Sequence, residues 1–69
     1  MLTTKKVIED AIKVREEELY KLSLRKLNCQ HYGWEDLLFT VVCEIENFES
    51  QIAELKQSLQ IIYDANNNK

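Results

Sequence analysis

Residues 34–62 read WEDLLFTVVCEIENFESQIAELKQSLQII. Within them Trp34, Leu38, Val41, Ile45, Phe48, Ile52, Leu55, Leu59 and Ile62 alternate in steps of four and three. That spacing is an unbroken heptad seam, the pattern of a helix packing along its whole length against another. It predicts a helix over residues 34–63, about 45 Å long at 1.5 Å per residue. Glu35 and Asp36 open it, where negative charge favours the helix dipole. The asparagines past Asp64 are suitable stop residues, so 64–69 reads as a frayed tail.

Working back, residues 4–28 carry a second helical pattern. Ile8, Ile12, Leu19 and Leu22, flanked by Val7, Ala11 and Val14, fall on one side of a 3.6-residue helix. Thr4 is a plausible N-cap, although Lys5 and Lys6 sit badly with the positive end of the dipole. Between the patterns lie residues 29–33, Cys-Gln-His-Tyr-Gly, a length that suits an αα-hairpin connection. Gly33 can take the positive φ of a reversal. The alternative is one continuous helix, because a lone glycine costs only about 1 kcal/mol within a helix. Charge favours the hairpin. Residues 1–28 hold seven Lys/Arg and five Asp/Glu, whereas 29–69 hold two and seven. Antiparallel packing sets the basic helix beside the acidic one.

Composition agrees with one small all-α domain. The chain has 69 residues, no proline and one glycine, which disfavours a turn-rich β domain. At 45% apolar and 30% charged it is too apolar for disorder. A net charge of −3 argues against binding a nucleic-acid backbone. The apolar runs at 37–39 and 41–43 are far too short to span a membrane. Residues 1–6 contain no apolar h-region, so a cytoplasmic protein is the expectation.

Both helices carry a second apolar set near the loop. Tyr20, Leu24 and Leu27 project away from the first stripe, and Phe39, Val42 and Cys43 away from the seam. The departures are expected only in the halves that meet at Gly33, so the hairpin would gather them, with Tyr32, into one loop-end patch. A chain of this size also buries little surface alone and generally needs a partner chain. The expected architecture is a two-helix antiparallel hairpin, completed by a homo-oligomer or a protein partner.

Other constellations carry less. Cys29, His31 and Cys43 match no zinc spacing. Cys43 falls about 13 Å into the second helix at 1.5 Å per residue, too far from a turn-borne Cys29 for a disulfide. A buried Cys43 and a reduced Cys29 are therefore expected, with no metal or other cofactor. His31, Tyr32 and Trp34 beside Glu35 and Asp36 lack a nucleophile motif and a pocket framework, so no enzyme is expected. The run Glu16-Glu17-Glu18 reads as a solvated face. Arg15 falls at a seam position, near Phe48, with Glu44 or Glu49 as partners, and would set the register.

Thr3-Thr4, Ile8-Glu9-Asp10 and Arg15-Glu16-Glu17 at the start, with Ile61-Ile62-Tyr63 at the end, resemble small helical-hairpin co-chaperones of type III secretion needle subunits. The second helix here is several residues longer than theirs. The resemblance implies a helical partner and a needle-subunit client, and carries over no functional residue. Size, acidity and the Asn-rich end are also similar to small phage-encoded proteins that block a host protein, a likeness of class without a motif. Three functions are therefore expected in turn. The first is a protein-binding adaptor or inhibitor acting through the loop-end patch. The second is a secretion co-chaperone. The third is an oligomeric small-molecule sponge with an inter-subunit site using Tyr32, Trp34 or His31.

Overall fold

The computed structural model describes residues 3–67. Two α-helices, α1 (Thr4–Tyr32) and α2 (Glu35–Asn67), fold back on each other as an antiparallel hairpin. The layer measures 55 × 21 × 12 Å, one helix thick. Its radius of gyration is 16.0 Å, against about 11 Å for a compact domain of this length. Among the described residues, no helix is long and apolar enough to cross a membrane.

The N-cap of α1 is Thr3, not Thr4: its hydroxyl accepts from the Lys6 amide at 3.1 Å. The other end overturns the expected five-residue turn. The helix runs on through Tyr32, and Gly33 reverses the chain at φ 72°. The Trp34 amide donates back to the Cys29 carbonyl at 3.0 Å, the long bond of a Schellman cap. Trp34 then caps α2, its carbonyl accepting from the Leu38 amide at 2.8 Å. The connection is therefore Gly33-Trp34 alone, because nothing in residues 29–32 breaks a helix before the glycine. At the far end α2 continues through Asn67, four residues beyond the expected stop, and only 68–69 of the expected frayed tail lie outside the described residues.

The seam of α2 packs as the spacing predicts from Leu38 to Ile62, with Val41 fully buried and Ile52 buried. Trp34 is the exception. It precedes the helix, off the seam, and remains 51% exposed. The facing stripe of α1 is longer than its apolar residues suggest. Lys5, Ile8, Ile12, Arg15, Leu19, Leu22, Lys26 and Cys29 are all buried or half-buried, again in alternating steps of three and four. Val7 and Val14, expected to flank this stripe inward, are exposed.

The buried thiol is Cys29, not Cys43 as expected. Cys29 is 1% exposed and packs with Leu22 and Val41, whereas Cys43 is exposed. The extension of α1 carries Cys29 into the seam. Arg15 also differs from expectation. Its Nε donates to Gln51 Oε1 at 2.8 Å and its Nη1 to the Ala11 carbonyl at 3.1 Å, with neither Glu44 nor Glu49 as partner. At the open end Lys5 Nζ lies 4.6 Å from the centre of the Tyr63 ring. These two contacts set the register to within two residues: Arg15 reaches Gln51 near mid-length, and Lys5 reaches Tyr63 at the open end.

Candidate functional site

The seven residues expected to form one loop-end patch divide among four surfaces. In antiparallel helices, rotation from the seam in the same sense along each chain turns both toward the same side. At about 100° per residue, Tyr20, Leu27 and Phe39 lie about 130° from their seams in that sense, and Val42 about 80°. These four share one side. Leu24 and Cys43 lie opposite their seams and face away from each other, at the two edges of the layer. Tyr32 falls on the other side.

A groove between the helices identifies the shared side independently. It is lined by Glu16, Leu19, Glu49, Ile52, Ala53 and Lys56. Phe39 lies two heptads before Ala53, Val42 one heptad before Glu49, and Tyr20 one turn beyond Glu16. The register from Arg15–Gln51 places Leu27 level with Phe39, and Tyr20 level with Glu46. Phe39 is 73% exposed, Tyr20 66%, and Leu27 is exposed as well; Val42 is half-buried.

The loop carries an aromatic row on the opposite side. Tyr32 and Trp34 stack with ring centres 4.9 Å apart and planes 22° apart, and His31 meets Tyr32 edge-on at 4.9 Å. Leu37 is exposed beside it. Sequence reasoning placed Trp34 in the seam and left Leu37 unassigned, although Leu37 sits two heptads before Gln51.

Apolar exposure is not confined to the loop half. Val7, Val14 and Ile61 are exposed toward the open end. The open-end signal was present in the sequence, since none of the three occupies a seam position. What distinguishes the loop half is its aromatic content and the grouping of four residues on one side.

The chemistry available is that of surfaces. One open concavity, about 550 Å³, runs along α1 beside Lys13, Glu16, Glu17, Tyr20 and Lys21. Among the described residues no group of three or more His, Cys, Asp or Glu is placed to hold a metal, and both thiols are free. The ion pairs Lys6–Asp10 (3.2 Å) and Glu18–Lys21 (3.4 Å) are exposed and local, contributing little.

Compared with known proteins, the chain matches no family model, no curated protein and no solved structure.

Proposed function

We propose that this protein is a non-enzymatic protein-binding module that docks through the side bearing Tyr20, Leu27, Phe39 and Val42. The observation that supports the reading is Phe39, 73% exposed and level with an exposed Leu27 on the same side of a layer one helix thick. An aromatic side chain left in water beside another apolar one is the usual core of an interface. Helical spacing suits a helical partner, whose own anchors would recur at three and four residues. An aggregation-prone client presenting such a helix would make the protein a co-chaperone, and a regulated target would make it an inhibitor.

The stacked Tyr32–Trp34 pair favours a second reading, in which the loops of an oligomer enclose a flat small molecule. The two readings separate by mutation. Phe39→Glu places an unpaired charge in the proposed interface and should abolish capture of a partner while circular dichroism stays helical. Trp34→Ala should leave that capture intact. Equal capture by wild type and Phe39→Glu would reject the protein-docking reading.

A further inference from the structure

Four heptad columns decide what can cover the Phe39 side. On α1, positions 6, 13, 20 and 27 read Lys, Lys, Tyr, Leu. On α2, positions 39, 46, 53 and 60 read Phe, Glu, Ala, Gln, and the inner column 42, 49, 56, 63 reads Val, Glu, Lys, Tyr. The inner column of α1 at 9, 16, 23 and 30 reads Glu, Glu, Ser, Gln. The side is thus layered along its length: apolar at the loop, acidic at mid-length, mostly basic toward the open end.

We propose that the occupant is a second copy of this chain, related by a two-fold axis parallel to the hairpin. The two loops then lie at one end, and each α1 packs on the α2 of the other copy. This deepens, and rests on, the reading of that side as a protein interface. In the register set by Arg15–Gln51, Leu27 of one copy meets Phe39 of the other, Tyr20 meets Glu46, Lys13 meets Ala53, and Lys6 meets Gln60. Apolar faces apolar, the Tyr20 hydroxyl can donate to a carboxylate, and no like charges coincide in these two outer columns, whereas in the inner columns Glu16 of one copy comes level with Glu49 of the other.

Net charge selects the same arrangement. Helix α1 holds seven Lys/Arg against five Asp/Glu, and α2 one Lys against seven Asp/Glu. An axis along the hairpin surrounds each helix with antiparallel neighbours of the opposite balance. An axis across the hairpin stacks α2 on α2, acidic on acidic, and sets Leu27 against Lys6 and Tyr20 against Lys13. Charge of this kind fixes orientation more than affinity.

Area requires full-length overlap. A 55 × 21 Å face offers about 1,100 Å², whereas a standard stable interface buries about 800 Å² per partner. Overlap of the loop halves alone would give only about half of that face. The opposing contribution is Glu16 and Glu49, which lie nearest the axis at mid-length, with Lys13 and Lys56 just beyond them toward the open end.

The test uses the full chain carrying His31→Cys and Cys43→Ser, spin-labelled at position 31 while Cys29 stays buried. Sedimentation equilibrium should show a dimer. The labels should lie within about 30 Å of each other, against more than about 40 Å for head-to-tail pairing of helices this long. Phe39→Glu and Leu27→Glu, both at exposed positions, should each weaken the dimer about 100-fold with unchanged circular dichroism. A chain that stays monomeric at every concentration, or a dimer with distant labels, would overturn the proposal. The broader reading fails separately. If the chain is monomeric but Phe39→Glu loses a protein that the wild type captures, the side is an interface and the second copy is not its occupant.

Discussion

Arg15 and Gln51 meet across the seam, Nε donating to Oε1 at 2.8 Å, at a level where the rest of the heptad pattern is apolar. The guanidinium is part-buried and donates as well to the Ala11 carbonyl of its own helix. A hydrogen bond at one seam position distinguishes a single alignment of the helices from those shifted by a heptad, which apolar contacts alone tolerate. Gln51→Leu should therefore cost about 1–2 kcal/mol, because it leaves a part-buried charge short of a partner. The double variant Arg15→Met/Gln51→Leu should regain most of that loss. Urea denaturation of the two variants checks both numbers, and equal destabilisation would mean that the pair does not act as a unit.

The second prediction concerns Phe48, which lies half-buried against the cluster of Leu22, Cys29 and Val41. Emptying a fully buried aromatic site costs about 3–5 kcal/mol. Partial exposure places Phe48→Ala at the lower end, about 3 kcal/mol. Domains of this length have only several kcal/mol in total, so the thermal midpoint should drop by well over 10 °C. An unchanged midpoint would show that the seam is not the core.

The two thiols should react at very different rates. Cys43 is exposed and should be modified at once by an aromatic disulfide reagent, while Cys29, 1% exposed, should react only as the hairpin opens. Simultaneous modification in the folded protein would contradict the packing of Cys29.

Gly33 tests the turn. Its φ of 72° is left-handed, and a Cβ added there would meet nothing within 4 Å. Gly33→Ala should therefore cost about 1 kcal/mol, all of it backbone strain. Gly33→Asn should cost less, because asparagine tolerates that region. A larger loss, measured by thermal melting, would point to a packing role for the turn.

The seam of α2 was legible because its apolar residues repeat without interruption from Leu38 to Ile62. The facing stripe of α1 was half hidden. Arg15 was read into it, but Lys26 occupies the position between Leu22 and Cys29, so hydrophobicity alone lost the repeat before Cys29. That loss displaced the turn and assigned burial to the wrong cysteine. Trp34 fitted the heptad numerically but stands where the chain has not yet begun to coil, so periodicity assigned it to a face it does not have. Of the loop-end residues, Val42 is half-buried and the other six are exposed. Their division among four surfaces depends on how far each lies around its helix, and that required the register between helices.

The two-residue connection orders how the hairpin comes together. Cys29 and Val41 are neighbours in space separated by a short loop, whereas Lys5 and Tyr63 close nearly the whole chain. Each contact made near Gly33 shortens the loop that the next one must close, so assembly proceeds as a zipper from the turn outward. The reverse holds for opening. Amide exchange should rise steadily from the turn toward Lys5 and Tyr63, and the two ends of the chain separate first while the apolar layer beside the loop stays closed.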